Sequence, residues 1–266
     1  MKKYLSLVLA MLLCLSLCAC GGSKEETKVE EAAPVEAAPV EEATAPAEVP
    51  KEPVVEEPAV EAVPVVIYVT VSDAGVLRVA NAPVTVMDAD GDGKVTADAV
   101  IAAAHDAFYE GGAKAGFVFE ETDFGMSIIK LWGVDNGGSY GYYVNDAYVL
   151  PDYQLVEGDY LCAYSYADLV GWSDCYAFFD QRNAEVKVGE ELALSLSKLV
   201  YDENWELQTK VAEGAALLVN GEISDSVTDA EGKASVSFAA AGEYVVSAVG
   251  AEGETLVPPV CTVVVK

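Results

Sequence analysis

The chain has 266 residues, 52% of them apolar, and a formal charge of −29 at pH 7 from 15 basic and 44 acidic side chains. A surface this acidic repels DNA, RNA and anionic lipid headgroups, so nucleic acid is excluded as a partner. The length accommodates a leader, a spacer and two modest domains.

Lys2 and Lys3 precede a leucine-rich run from Tyr4 to Leu17 that is too short to cross a hydrocarbon core of ~30 Å as a helix. A short basic start, an apolar run and then small residues form the layout of a secretory signal, residues 1–19. The run closes on Leu17-Cys18-Ala19-Cys20, followed by Gly21-Gly22. These four residues resemble the bacterial lipobox, with Leu17 and Ala19 at its branched apolar and small positions. The resemblance implies that Cys20 is acylated, becomes the mature N-terminus and attaches the protein to the membrane on its extracellular face. Cys14 and Cys18 lack a small residue immediately before them.

Residues 20–63 repeat Glu, Ala, Pro and Val without an aromatic residue; residues 21–63 hold three lysines against twelve glutamates. Such a segment buries too little apolar surface to offset its ordering entropy. Proline and like charge keep it extended, with a full reach of about 120 Å. It reads as an acidic tether behind the anchor.

Order is expected from Pro64. Val65 to Val71 is a β-branched strand, and Val76 to Ala80 and Val84 to Met87 continue the pattern around a turn at Asn81-Ala82-Pro83. A helix is predicted over 97–109, with Thr96 as its N-cap, Asp98 in its first turn, and Val100, Ile101, Ala104, Ala107 and Phe108 on one face. Gly111-Gly112 ends it. Strands follow at Phe117 to Phe119, Ser127 to Trp132, Ser139 to Asn145, Tyr148 to Leu150 and Tyr160 to Ala167, and Asp174 to Asp180 closes the module. One helix among short strands argues for an α+β domain over 64–182.

Gly141-Tyr142-Tyr143-Val144-Asn145, with Val156-Glu157-Gly158-Asp159-Tyr160 a dozen residues later, resembles the core motif of transcobalamin C-terminal-like domains. The helix with His105 and the Leu131-Trp132-Gly133 strand end share in it. The resemblance implies an SLBB-type β-grasp fold on a secreted or surface protein. In the vitamin carriers that module covers one face of a corrinoid; no residue here matches the corrinoid contacts.

Residues 183–266 alternate in a different texture, with strands expected at Ala184 to Val188, Leu192 to Tyr201, Ala215 to Val219, Lys233 to Phe238, Tyr244 to Val249 and Cys261 to Val265. Turns at Asn220-Gly221, Asp229 to Gly232 and Ala241-Gly242 separate several of them at sandwich-like spacing. The stretch from Asp229 to Val246 is similar to bacterial immunoglobulin-like surface modules, which implies an all-β sandwich.

Candidate chemistry is sparse. Asp88, Asp90, Asp92, Lys94 (through its carbonyl) and Thr96 fit positions 1, 3, 5, 7 and 9 of an EF-hand or dockerin loop, with Gly93 at the sharp turn. Position 12 is Ala99 rather than a bidentate acid, so the loop is either a weak calcium site or a solvated acidic turn. His105 is the chain's one histidine and has no sequence-adjacent nucleophile, which argues against an enzyme. It reads as a half-buried helix residue, and a single histidine with dispersed cysteines argues against zinc. Cys162 and Cys175 lie on successive strands, as a disulfide or as two buried thiols.

Alternation places Tyr140 and Tyr142 on one strand face with Val144, and Tyr160, Tyr164 and Tyr166 on one face with Cys162. Such rows are either a stacking platform for a flat ligand, glycan or peptide, or partly core and partly sheet surface. Trp172, in the loop Leu169-Val170-Gly171-Trp172, is the stronger candidate for an exposed contact. The expectation is therefore a lipid-anchored extracellular protein that binds a small molecule or surface partner through the tyrosine-rich module, or a structural or adhesive surface protein.

Overall fold

A long β-branched run begins the ordered chain. In the computed structural model, residues 62–266 are described except 89–90, 124, 136–138 and 151. The expected signal, Cys20, nearly all of the tether and Asp90 lie outside the described residues.

The elements in chain order are β1 (Val63–Asp73), β2 (Val76–Asp88), β3 (Lys94–Thr96), α1 (Ala97–Phe108), α2 (Gly112–Gly116), β4 (Val118–Thr122), β5 (Gly125–Lys130), β6 (Tyr140–Val144), β7 (Ala147–Tyr148), β8 (Gln154–Val156) and β9 (Tyr160–Ser165). A mixed sheet takes the order β2-β1-β9-β6-β7, with β1 and β9 parallel at its centre. Ile67, Val69 and Val71 of β1, Leu161 and Ala163 of β9, and Val100, Ile101 and Ala104 of α1 form the first buried cluster. Alternation on the strands and the helical repeat on α1 meet in that one layer. The α1 face is shorter than predicted, since Phe108 is exposed. Thr96 is the N-cap, in extended conformation, but makes no side-chain capping bond.

The turn expected at Asn81-Ala82-Pro83 is a bulge inside a single strand, β2. Val69 pairs Ala82 and Val71 pairs Val79, so Ala80 and Asn81 together oppose Thr70. Asn81 takes a left-handed φ of 45°, which asparagine tolerates better than most residues. Its N–H donates to Thr70 Oγ1 at 3.0 Å. Pro83 is tolerated because β2 is an edge strand.

The second half holds β10 (Cys175–Phe179), β11 (Asn183–Val186), β12 (Glu191–Tyr201), β13 (Leu207–Val211), β14 (Ala216–Val219), β15 (Glu222–Val227), β16 (Lys233–Ser237), β17 (Gly242–Val249), β18 (Leu256–Val257) and β19 (Cys261–Val265). One sheet runs β13-β12-β10-β18, with β16 also on β12; the other runs β11-β19-β17-β14-β15. Leu192, Leu194 and Leu196 face inward against Leu217, Val246 and Val263, as the period of two requires. The second half is thus a two-sheet β-sandwich.

The strand at 175–179, expected to close the first module, belongs to the sandwich. β10 pairs with β12 and β18 and makes no ladder with the first sheet. Ala177 and Phe179 point into the sandwich core, whereas Tyr176 points back to the first sheet. The expected boundary at 182/183 therefore moves back to the 166–174 loop. The described residues fall within one compact unit.

A third cluster explains that unity. Tyr143, Tyr160, Cys162 and Tyr164 of the first sheet pack on Tyr176, Leu199 and Val257 of the sandwich. The rings of Tyr143 and Tyr176 stack with centroids 4.0 Å apart. Tyr176 Oη donates to Asp146 Oδ1 at 2.8 Å, Asp146 pairs with Arg182, and the Arg182 guanidinium lies 4.2 Å over the Tyr160 ring. Asn81 Nδ2 donates to Asn183 Oδ1 at 2.9 Å across the same seam.

Candidate functional site

The tyrosine rows are real, but they lie on opposite faces of one sheet. Tyr140, Tyr142 and Val144 face the first core, while Tyr160, Cys162 and Tyr164 face the junction with the sandwich. Gly141 stands directly opposite Tyr164, and the Tyr164 ring lies where a Cβ would stand, 2.5 Å from that position. Tyr164 is 2% exposed, so it is a junction residue rather than a platform for an incoming ligand. Burial pushes the Tyr164 phenol far up from its ordinary range and the Tyr142 phenol up to about 12, so both are neutral near pH 7.

Three of the five tyrosine and tryptophan candidates meet at the edge of the sheet. Tyr140, Tyr166 and Trp172 line a cleft of about 620 Å³ with Ile128, Ile129, Asp123 and Asp135. Tyr142 and Tyr164 stand outside it, although all five border a smaller crevice of about 260 Å³ between the first sheet and β12. The Asp123, Ile128–Ile129 and Asp135 side of the cleft was missed in the sequence. Only the folding of β5 against the start of β6 brings those residues to Trp172.

Loop 166–174 presents its tryptophan rigidly. Asp174 is buried and accepts the N–H groups of Ala167 and Asp168 at 2.7 and 2.9 Å. Asp168 accepts N–H groups from Gly171 and Val170 and the hydroxyl of Ser173. Those bonds, led by the one from Gly171, hold its carboxyl down to about 2. Trp172, with a left-handed φ of 49° and 63% exposed, donates Nε1–H to Ser139 Oγ at 3.1 Å. Tyr140 Oη sits 2.8 Å from the Ile129 carbonyl and 2.7 Å from that of Val134.

Two carboxylates of the acidic stretch before α1, those of Asp88 and Asp92, accept bonds from its own backbone. Asp88 is buried at the end of β2 and accepts the N–H groups of Gly91 at 2.9 Å and Gly93 at 2.6 Å. Asp92 accepts the Lys94 N–H at 2.9 Å, and its other oxygen lies 3.2 Å from Lys94 Nζ. Thr96 pairs with Gln154 in the β3–β8 ladder. Among the described residues no group of three or more His, Cys, Asp or Glu side chains is placed to hold a metal; Asp90 is outside them.

His105 is fully rather than half buried. Its Nε2 lies 2.9 Å from the Trp132 backbone N–H, which can only donate, so Nδ1 carries the proton and donates to the Ile101 carbonyl at 2.8 Å. With both nitrogens engaged by backbone, the ring is no base for an outside reactant. Cys162, Cys175 and Cys261 are free thiols, and burial pushes Cys162 up to about 12.

Asn145, Asp159 and Tyr160, three of the residues on which the transcobalamin-like resemblance rests, are architectural here. Asn145 Nδ2 donates to Asp159 Oδ1 at 2.7 Å, Asn145 Oδ1 accepts the Tyr160 N–H at 2.9 Å, and Asp159 Oδ2 accepts the Val156 N–H at 2.9 Å. They tie the end of β6 to the turn that starts β9.

No protein-family model and no curated protein matches this chain, so the lipobox and transcobalamin C-terminal-like patterns rest on their residues alone. Among solved structures, the fibronectin(III)-like modules of Clostridium thermocellum CbhA are 13% identical, with 48% of this chain and 77% of that chain covered and a TM-score of 0.25. The tandem Ig repeats of Dlar are 13% identical, with 56% and 75% covered and a TM-score of 0.23.

Proposed function

We propose that this protein is a lipid-anchored binding protein on the extracellular face of a bacterial membrane, and that the cleft beside Trp172 takes up its ligand. One observation carries this reading: a cleft of about 620 Å³, walled by Tyr140 of β6 and by Tyr166 and Trp172 of a loop pinned by two carboxylates. Its size falls among small-molecule sites of ~300–1,000 Å³. The order β2-β1-β9-β6, with parallel central strands and α1 across one face, supports a β-grasp module; the sandwich supports an immunoglobulin-like one. A corrinoid is a candidate through the family resemblance only. Acylated Cys20 and the acidic tether would hold the modules away from the bilayer.

The test is tryptophan fluorescence of the full-length chain in detergent, titrated with a metabolite panel that includes corrinoids. A saturable change that is lost in Trp172→Ala supports the reading. Release of the Cys20→Ser chain into the medium supports the anchor, whereas retention in the membrane fraction overturns it. Calcium at Asp88, Asp90, Asp92, Lys94 and Thr96 belongs to the same proposal. A calcium-dependent rise in melting temperature that persists in Asp92→Asn would retire that site.

A second reading has one observation in its favour. Val170 is 92% exposed at the tip of the same loop, beside exposed Leu169 and Trp172. An adhesive module contacting a protein or glycan would use that tip, and it would leave every metabolite titration flat.

A further inference from the structure

Tyr176 is buried, yet its hydroxyl donates to a carboxylate, Asp146 Oδ1, at 2.8 Å. Other phenols end on weaker bases: Tyr164 donates to the Tyr166 hydroxyl at 3.3 Å, and Tyr244 to the Ala240 carbonyl at 3.1 Å. The difference matters for oxidation. A phenol gives up an electron readily only when its proton has a base to go to, because the phenol radical cation is a strong acid. Tyr176 has that base in place, and Asp146 is itself held by Arg182.

The same ring has a route to the surface. Its centroid lies 4.0 Å from that of Tyr143, with the planes 18° apart, and Tyr143 lies 6.3 Å from Tyr148, which is 61% exposed. A second branch runs from Tyr143 to Tyr164 at 6.4 Å and on to Tyr166 at 5.2 Å. Aromatic rings this close exchange electrons by tunnelling. Beyond Tyr176 the next ring is Phe178, at 6.1 Å, which has no hydroxyl proton to lose. The route therefore ends at Tyr176.

We infer that Tyr176 is a site of one-electron oxidation, reached by small diffusible radicals through Tyr148 and Tyr143, with Asp146 as its proton acceptor. The radical takes one electron from Tyr148 and is reduced; Tyr143 refills Tyr148, and Tyr176 refills Tyr143. The Tyr176 hydroxyl proton moves to Asp146 Oδ1. The products are the reduced oxidant, a neutral Tyr176 phenoxyl radical and a protonated Asp146. Burial keeps that phenoxyl from coupling with another chain, so the oxidising equivalent stays in the seam until a one-electron reductant and the Asp146 proton restore the phenol. This role is separate from ligand binding at the cleft and does not depend on it.

The test is pulse radiolysis of the full-length chain in detergent with the azide radical, which is reduced to azide, while tyrosyl radical is followed by optical absorption and electron paramagnetic resonance. A tyrosyl signal that long outlives that of free tyrosine is expected. It should be lost in Tyr176→Phe and kept in Tyr153→Phe, an exposed tyrosine outside the chain of rings. Tyr143→Phe preserves the ring and removes the oxidisable phenol, so the signal should appear severalfold more slowly. Asp146→Asn can still accept the hydroxyl bond but cannot take the proton, so the persistent yield should fall severalfold. Absence of any persistent radical, its survival in Tyr176→Phe, or an unchanged rate in Tyr143→Phe would overturn the inference. A persistent signal lost in Cys162→Ala but not in Tyr176→Phe would overturn it in favour of the thiol buried in the same cluster.

Discussion

Replacing His105 by phenylalanine isolates one buried polar group, because the chain contains no other histidine. The ring sits among Tyr109, Phe117 and Trp132, with centroids 5.8, 5.3 and 5.1 Å away, so a phenyl ring fills nearly the same space. What disappears is the acceptor for the Trp132 N–H, on a residue held at a left-handed φ of 53°. Leaving that donor unsatisfied should cost about 1–3 kcal/mol at neutral pH. The pH dependence is the sharper test. Burial lowers the His105 pKa below 6.5, outweighing the bond to Ile101 and the charge of Asp106. Below pH 6.5 the unfolded chain therefore binds a proton that the folded chain refuses. This contribution is complete above pH 6.5 and is lost as the pH falls toward the folded value, at up to about 1.4 kcal/mol per pH unit. The phenylalanine variant has no such slope, and its carboxylates titrate alongside those of the parent. Urea unfolding of both proteins at pH 8, 7, 6 and 5 should give a stability gap that is widest at pH 7–8 and closes in acid. A constant gap, or one that widens in acid, would refute the neutral Nδ1–H assignment.

Gly141→Ala should destabilise by about 1–3 kcal/mol, since its methyl group would meet the Tyr164 ring at 2.5 Å. In a thermal-unfolding cycle with Tyr164→Ala, the double variant should lose less than the sum of the two singles, and strict additivity would sink the contact. Asp146→Asn keeps a residue tolerant of the left-handed φ of 64° but removes the charge opposite Arg182. Both side chains are partly exposed, so the loss should be about 1–2 kcal/mol rather than the full cost of breaking a buried pair. Near-UV circular dichroism should change with it, because Tyr143 and Tyr176 stack at the same junction, and an unchanged spectrum and stability would count against that coupling.

Much of the backbone was legible because it obeys short-range rules. Leu192, Leu194 and Leu196 alternate as a half-buried strand must, and Asn220 and Gly221, at φ 52° and 82°, form the tight turn that the Asn-Gly pair predicts. Alternation also assigned the tyrosines correctly along each strand. It could not say which face of β6 matches which face of β9, because that depends on a register set by Gly141 opposite Tyr164. The β2 bulge was hidden for a related reason: Asn81-Ala82-Pro83 has turn composition, and only the pairing with Thr70 keeps it inside a strand. β13, β15 and β18 went unread because their sequences carry few paired apolar positions. β15 alternates exposed and half-buried residues at the sheet edge, and β18 is two residues long.

The placement of the cleft follows from the junction. A sheet with a helix on one face has one free face to offer, and a tyrosine-rich free face invites the idea of a stacking platform. Here the sandwich takes that face: Tyr176 on Tyr143, and Leu199 and Val257 in the same cluster. Neutral phenols suit such a seam, since burial raises the pKa of Tyr143, Tyr164 and Tyr176 and their rings pack without charge. The open cleft is thereby left not on the face of the sheet but at its edge, where β5, the start of β6 and the Trp172 loop converge. That loop is also the chain's passage from β9 to β10, so Trp172, the residue to which the proposal assigns the ligand, sits on the segment joining the two cores. A variant that loosens the seam, such as Asp146→Asn, should therefore weaken ligand capture at Trp172 without touching the cleft. A variant confined to the rim, such as Asp123→Asn, should leave the seam intact.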